Sequence, residues 1–269
     1  MPISLLGILN ALMPKDRGSR KLASGIAYGP DSRQRLDVYA PTGITGPVPV
    51  VFFIYGGSWS DGTRHDYDFA GRALAALGYV TVIADYRTLP QMEYPGFLED
   101  GTEAFAWTVE HIARYGGDAS RIALAGHSAG AYNAMMLVLD PAYLGKSGLG
   151  DRVKGVVGLS GPYDFFPFDV AITLRTFGAV LEPRLTQPVN LALAGAPPMF
   201  LATGDRDALV FPRNTEALAQ KLREAGVPVI ERHYERAGHA MTLLPLGRPM
   251  RGRVPVLAQI ATFLKERLG

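Results

Sequence analysis

The sequence contains no cysteine among its 269 residues. This absence excludes disulfide bonds, thiolate metal sites and a cysteine nucleophile. It does not identify a cellular compartment, because a protein without cysteine folds in reducing and oxidising surroundings alike. The cytoplasm is the working expectation for its location, and secretion is the alternative.

The chain also lacks an excess of one charge and a long apolar run. Its 27 Lys and Arg residues against 25 Asp and Glu residues give a formal net charge of +2. The basic residues are scattered along the sequence, which argues against nucleic-acid binding. No apolar run reaches the roughly 18–20 residues of a transmembrane helix, so no transmembrane segment is predicted.

The apolar stretch at residues 3–13 is short and has no positively charged segment before it. We therefore predict a short helix that packs on the body of the protein, rather than a secretory signal. Covering a substrate entrance and touching a membrane surface are alternative roles for this helix.

Apolar, β-branched runs alternate with segments of helical periodicity along the chain. Several of the runs are continuously apolar, as in Val50–Ile54, which is typical of parallel strands covered on both faces. The alternation predicts an α/β fold with a mostly parallel central sheet flanked by helices. The predicted strands are 35–40, 49–55, 79–86, 121–125, 153–159, 198–203 and 228–234. The predicted helices are 66–77, 98–115, 129–139, 214–225 and 256–268.

The length and composition predict a single domain over residues 1–269. Within it, residues 1–30 are predicted as an amino-terminal helix and cap segment. Residues 163–196 carry several phenylalanines and prolines but no clear strand. Because long excursions from a sheet are usually functional, we predict that this segment is a cap or pocket wall. A plain surface insertion is the alternative.

The pattern Gly-His-Ser-Ala-Gly at residues 126–130 directly follows a predicted strand and opens a predicted helix. Such a corner forces strained dihedral angles on its central residue and exposes that residue's hydroxyl, so its neighbours must be small. Ser128 is therefore the candidate nucleophile. A glycine-rich helix start with a capping serine is the structural alternative.

A serine hydroxyl needs a general base, and the base needs an orienting carboxylate. In this arrangement both follow the serine, the acid before the histidine. His239 lies in the loop after the strand predicted at 228–234 and is the candidate base. The other histidines precede the serine, adjoin it or fall within a strand: His65, His111, His127 and His233. Of two carboxylates after the strand 198–203, Asp207 is predicted as the acid and Asp205 is the alternative.

The oxyanion of an acyl-transfer intermediate needs backbone donors. The amide of Ala129, directly after the nucleophile, is one candidate. The others belong to the loop after the buried strand 49–55, where Gly57 and Ser58 are the predicted donors and Gly56 shapes the turn.

Four large side chains near the predicted sheet edge are candidates for pocket walls, and each could equally belong to the core: Trp59, Tyr86, Phe165 and Met241. The chemistry requires neither a metal nor a cofactor. The expected partner is a small-molecule ester, and a homodimer is left open.

These features together resemble those of α/β-hydrolases of the esterase and lipase type. The chain is similar to the hormone-sensitive-lipase-like group, small bacterial carboxylesterases, feruloyl esterases and kynurenine formamidases. The matching segments run from about residue 35 to the end: 56–59, 85–87, Pro95 with 99–100, 115–118, 126–130, 161–164, 205–207 and 238–239. The resemblance implies an α/β-hydrolase fold with a small cap.

The resemblance further implies that the chain hydrolyses short- to medium-chain carboxylic esters through an acyl-enzyme. An arylformamidase that cleaves N-formylkynurenine with the same triad is the alternative. A ligand-binding module on an inactive hydrolase scaffold is disfavoured, because all three triad residues are present.

Two residues depart from the family pattern. Family members usually carry His-Gly-Gly-Gly, or His-Gly-Gly before an aromatic residue, whereas this chain has Tyr55 in place of the histidine and Ser58 in place of the third glycine. The first change leaves open which hydrogen bonds hold the oxyanion loop. The second retains the backbone donor and adds a hydroxyl.

Overall fold

An eight-stranded sheet runs through the computed structural model, which describes residues 5–191 and 194–269. The strands are β1 (Ser19–Ala27), β2 (Arg35–Pro41), β3 (Val48–Ile54), β4 (Val80–Ala84), β5 (Gly117–His127), β6 (Val153–Leu159), β7 (Met199–Gly204) and β8 (Val229–Tyr234). Their order across the sheet is β1-β2-β4-β3-β5-β6-β7-β8. Among the strands of the described residues, only the pairs β1–β2 and β2–β4 are antiparallel.

Seven helices accompany the sheet in the described residues. They are α1 (Leu5–Leu12), α2 (Asp68–Ala76), α3 (Gly96–His111), α4 (Ala129–Leu139), α5 (Ala171–Phe177), α6 (Arg213–Glu224) and α7 (Val256–Leu268). Helix α4 packs on β3, β5 and β6, at the centre of the sheet. None of these helices is long and apolar enough to cross a membrane.

Burial along the central strands explains why the sequence forms a parallel sheet. Strand β3 is buried from Pro49 to Ile54 and lies between the parallel strands β4 and β5. Strand β4 is buried throughout. Because helices cover the sheet, continuous apolar runs are stable at these positions. The predicted mostly parallel α/β fold is confirmed.

The amino-terminal region differs from the prediction of a helix and cap segment over residues 1–30. Helix α1 forms as expected, although residues 3–4 of the apolar stretch lie outside the described residues. Strand β1 then adds an unpredicted edge to the sheet. It pairs with β2 alone, is interrupted by two register shifts and is largely half-buried or exposed, so it lacks the apolar run of a central strand.

The segment predicted as a pocket wall, residues 163–196, contains helix α5 and two 3-10 turns, Pro183–Thr186 and Pro188–Asn190. No strand forms in its described part, and residues 192–193 lie outside the described residues. The segment connects β6 to β7 above the carboxyl ends of these parallel strands.

A buried carboxylate ties the edge of the sheet to the turn beyond β3. Asp37 of β2 accepts hydrogen bonds from Lys21 Nζ at 2.9 Å, Ser24 Oγ at 2.8 Å, the Gly25 amide at 2.9 Å and Arg64 Nε at 2.7 Å. Burial by itself would raise the pKa of Asp37, but these four donors outweigh it and lower that pKa to about 2. Asp37 is therefore ionised in the folded protein at any pH above this value.

Replacing Asp37 by Asn should destabilise the protein by about 2 kcal/mol at pH 7. The reason is that a carboxyl group whose pKa is lower in the folded protein than in the unfolded chain stabilises the folded state at pH values above the unfolded pKa. That contribution is lost as the pH falls through 3.8 toward the folded value near 2. Urea denaturation should therefore give a difference between wild type and Asp37→Asn that shrinks by about half at pH 3. The exposed Asp151→Asn is the matched control. A difference that is the same at pH 7 and pH 3 would contradict the assignment.

Candidate active site

Ser128 occupies the corner between β5 and α4. Its backbone has φ 56° and ψ −126°, a strained conformation for a residue with a side chain. The corner is fixed on both sides, because the Ser128 amide donates to the Leu159 carbonyl of β6 at 2.8 Å and the Ser128 carbonyl accepts from the Ala131 amide at 2.9 Å. The hydroxyl lines a cavity at the carboxyl end of the sheet.

Two glycines allow α4 to approach β3 closely enough to form this corner. A Cβ atom on Gly130 would collide with the carbonyl oxygens of Ile54 and Tyr55. A Cβ atom on Gly126 would collide with the Gly130 carbonyl group. The small residues of the motif are thus required by backbone packing.

The structure brings the three predicted triad residues into one hydrogen-bonded chain. His239 Nε2 lies 2.9 Å from Ser128 Oγ, and His239 Nδ1 lies 2.8 Å from Asp207 Oδ2. Asp207 follows β7 and His239 begins a 3-10 turn after β8, so three strand ends supply the chain. The alternative acid, Asp205, lies instead on the surface, 3.4 Å from His233 Nδ1.

Asp207 is held in its ionised form. Burial opposes ionisation, but the hydrogen bond with His239 and the amides of Val210 and Leu209 hold the pKa of Asp207 below its ordinary value. An ionised carboxylate accepts a hydrogen bond from the N–H group at Nδ1 of His239. With Nδ1 donating to that carboxylate, Nε2 is the ring nitrogen that faces the Ser128 hydroxyl, which is the arrangement that a general base requires.

Neighbouring strand ends fix the backbone of His239. Its carbonyl oxygen lies 3.2 Å from His127 Nε2 and accepts from Thr242 Oγ1 at 3.1 Å. Thr242 Oγ1 lies 2.9 Å from Ser160 Oγ, at the end of β6. Burial, aided by the nearby His239, lowers the pKa of His127 to about 3, so that ring is neutral at pH 7. Neither Thr242 nor Ser160 was predicted, because neither has a motif of its own.

The loop after β3 supplies the remaining oxyanion candidates. Ser58, Ser128 and Ala129 line the same cavity. Ala129 is the first residue of α4, where an amide has no partner within the helix. The Gly56 amide instead donates to the Tyr67 hydroxyl at 3.2 Å, so we assign no oxyanion bond to it. Gly57 and Ser58 remain the candidate donors of this loop.

Three tyrosines, which we call the tyrosine stack, occupy the space behind this loop. The buried ring of Tyr55 lies between those of Tyr67, at 5.4 Å, and Tyr86, at 4.8 Å. The Tyr86 hydroxyl donates to the Tyr55 carbonyl at 3.0 Å, and Arg33 Nη2 donates to the Tyr55 hydroxyl at 3.1 Å. The tyrosine stack thus holds the loop through Tyr55, the residue that replaces the histidine usual in the families that the sequence resembles.

A cavity of about 380 Å³ opens above Ser128. The predicted wall residues Trp59 and Phe165 line it. Tyr86 does not, because its ring packs in the tyrosine stack. Met241 also lies outside the lining and is half-buried against the core. Helix α1 contributes no lining residue from its described part, in contrast to the predicted role of residues 1–30 in the cap.

Several further cavity residues were not predicted individually, although Asp169, Val170 and Ile172 lie in the segment 163–196 that was predicted as a pocket wall. Apolar and charged members of this group include Val170, Ile172, Leu209, Phe211, Asp169 and Arg213. Leu209 and Phe211 come two and four residues after Asp207, and large apolar residues in such a loop were a usable signal for a pocket wall. The residues at the start of α5 have no motif of their own, and only the composition of the whole segment 163–196 pointed to them. Among the residues that the structure describes, no cluster of three or more His, Asp or Glu side chains could hold a metal ion.

The sheet order, the strand-to-helix corner and the Ser–His–Asp contacts define an α/β-hydrolase. A family model described as BD-FAE matches residues 36–222. The chain therefore belongs to the BD-FAE family. Membership of the α/β-hydrolase superfamily, expected from the sequence motifs, is confirmed.

Curated relatives carry esterase names. A probable isoprenylcysteine alpha-carbonyl methylesterase of Oryza sativa subsp. japonica is 31% identical over 91% of this chain and 63% of its own. Esterase LipC of Mycobacterium tuberculosis is 31% identical over 90% of this chain and 64% of its own. The chain thus spans less than two thirds of the length of either relative.

Solved structures share the fold. A bacterial heroin esterase has a TM-score of 0.80 at 25% identity, covering 98% of this chain and 89% of its own. A truncated carbohydrate esterase from gut microbiota has a TM-score of 0.82, covering 95% and 99% of the two chains. The latter is 19% identical, so its likeness concerns the fold alone.

Replacing Tyr67 by Phe should lower kcat for ester hydrolysis about tenfold and leave KM nearly unchanged, because the Gly56 amide loses its acceptor while the ring remains. Steady-state kinetics on a soluble nitrophenyl ester measures both constants. Tyr79→Phe, at a buried tyrosine that precedes β4 outside the site, is the matched control. Equal kcat values for the two variants would show that Tyr67 has no positioning role.

Proposed function

We propose that the protein is a serine carboxylesterase that hydrolyses short- to medium-chain carboxylic esters through an acyl-enzyme intermediate. The observation that carries this proposal is the continuous hydrogen-bond chain from Asp207 through His239 to Ser128. The esterase names of the relatives support the same class of reaction.

The first half of the reaction forms the acyl-enzyme. His239 accepts the hydroxyl proton of Ser128 while Ser128 Oγ attacks the ester carbonyl carbon. Asp207 stabilises the resulting imidazolium. The tetrahedral oxyanion accepts hydrogen bonds from the amides of Gly57, Ser58 and Ala129. His239 then gives its proton to the alcohol oxygen, the ester bond breaks and the alcohol leaves.

The second half of the reaction regenerates the serine. His239 accepts a proton from water, and the hydroxyl group attacks the acyl carbon bound to Ser128. A second tetrahedral oxyanion uses the same backbone amides. It collapses as Ser128 Oγ leaves and recovers a proton from His239, which releases the carboxylic acid.

The cavity supports substrates of modest size. Its volume of about 380 Å³ is within the range of small-ligand pockets. Trp59 and Phe165 give it an aromatic wall, which favours an apolar acyl or alcohol group over a sugar or a charged group. An arylformamidase would use the same residues for an amide bond. The methylesterase name of the plant relative supports ester cleavage as the first candidate.

Ser128→Ala should lower kcat for ester hydrolysis by at least about 10⁴-fold, because no other group supplies the attacking oxygen. Hydrolysis of p-nitrophenyl acetate measures the loss, and circular dichroism checks that the variant folds. Ser147→Ala, at an exposed serine remote from the triad, should retain wild-type kcat. Full activity in Ser128→Ala would refute the nucleophile assignment.

A panel of nitrophenyl esters with increasing acyl length should give the highest kcat/KM with short and medium chains, and a fall of at least about tenfold with long chains. The reason is the limited volume of the cavity. N-formylkynurenine belongs in the same panel. A higher kcat/KM for N-formylkynurenine than for every ester would replace the esterase assignment by the arylformamidase.

A further inference from the structure

Helix α1 has an outer face that no described part of the chain covers. Leu5 is 75% exposed, Ile8 46% and Leu12 76%. Their spacing places the three side chains on one stripe of the helix. A stripe of large exposed apolar residues on a surface helix is typical of a contact surface.

The orientation of this stripe is fixed by contacts on the other side of α1. Asn10 is buried, donates from Nδ2 to the His65 carbonyl at 2.8 Å and accepts from the Phe69 amide at 3.0 Å. Met13, just past the helix end, is buried in the core. These contacts hold the inner face on the body of the protein, so the helix cannot rotate to bury Leu5 and Leu12.

The fold gathers basic residues at the carboxyl end of α1. Residues 236–265 contain five Lys and Arg residues and no Asp or Glu. Arg251 joins this segment to the turn after α1 through two hydrogen bonds with Asp16, at 2.9 and 2.8 Å. Arg17, Arg248 and Arg253 are exposed and form no ion pair with any described residue. We call these three arginines the basic patch.

We propose that the outer face of α1 and the basic patch together form a docking surface for a bilayer that contains anionic lipid. An amphipathic helix lies in the plane of such a bilayer, with its apolar stripe among the acyl chains and nearby cations at the headgroups. Arginines close to the surface strengthen binding to anionic headgroups. Arg17 follows α1 by five residues, and Arg248 and Arg253 flank Arg251, which pairs with Asp16 just beyond the helix. The unpaired cations therefore lie at the carboxyl end of the helix that carries the apolar stripe, which is the combination that this target requires.

A second copy of the chain fits this surface less well. A two-fold contact places the same patch of both subunits in one interface. The α1 stripes would then bring two basic patches close to each other, without acidic partners to compensate their charge.

Co-sedimentation of the full chain with unilamellar vesicles tests the proposal. The bound fraction should be at least about tenfold higher on mixed phosphatidylcholine and phosphatidylglycerol vesicles than on phosphatidylcholine alone, and should fall as salt is raised. Loss of any preference for the anionic vesicles would overturn the proposal.

Two sets of substitutions separate the apolar and basic contributions. The triple variant Leu5→Ser, Ile8→Ser, Leu12→Ser and the triple variant Arg17→Gln, Arg248→Gln, Arg253→Gln should each lower the bound fraction at least about tenfold. Both should keep wild-type ester hydrolysis in solution, which shows that they fold. Two control variants remove exposed groups elsewhere on the surface and should bind vesicles like wild type. They are the apolar control Leu181→Ser with Leu185→Ser and the basic control Lys146→Gln with Lys154→Gln.

Two results would contradict the bilayer assignment. One is an equal loss of binding in the control variants, because it would mean that the attraction is not specific to α1. The other is a wild-type dimer in sedimentation velocity that the apolar triple variant converts to monomer, because it would assign the stripe to a second copy.

Discussion

The close approach of α4 to β3 is the constraint on which the site depends. The carbonyl oxygens of Ile54 and Tyr55 lie where a side chain at position 130 would be, so only glycine permits the contact. This contact sets the start of α4 and thereby holds Ser128 in its strained conformation. The same contact places the end of β3, and the loop that follows it, next to the Ser128 corner. Nucleophile and candidate oxyanion donors are thus positioned by one packing requirement.

The charges around His239 follow from how each neighbour is buried and bonded. Asp207 accepts hydrogen bonds from two backbone amides and from His239, and these bonds keep the pKa of Asp207 low despite its burial. His127 is buried against His239 without a carboxylate of its own, and its pKa falls to about 3. A neutral His127 donates a hydrogen bond to the His239 backbone without adding a second positive charge. The site therefore keeps one anion beside His239, the ring that would become a cation in the proposed acyl transfer.

Much of this arrangement could be predicted from the sequence. The apolar run 50–54 identified β3 because a strand covered on both faces leaves a local signal. Ser128, Asp207 and His239 could be selected because the topology of the fold fixes their order after the strands that carry them. The edge strand β1 left no such signal, since its half-buried residues need not be apolar.

Contacts between distant residues could not be predicted in the same way. Tyr86 follows a buried strand, a position from which a side chain often reaches a pocket, but its ring packs against that of Tyr55. Tyr67 is 11 residues from Gly56, and only the folded chain brings its hydroxyl to that amide. The unusual Tyr55 was the one sequence feature that pointed to a different support for the loop. The arginines of the basic patch are scattered in sequence, and the Asp16–Arg251 pair brings the segment of Arg248 and Arg253 to the turn after α1.

The most direct test of the nucleophile is covalent labelling with a fluorophosphonate, followed by peptide mass spectrometry. The triad geometry predicts one phosphonyl adduct per chain, located on Ser128, with ester hydrolysis lost in proportion to labelling. Complete loss of hydrolysis with an adduct on another serine and Ser128 unmodified would contradict the account.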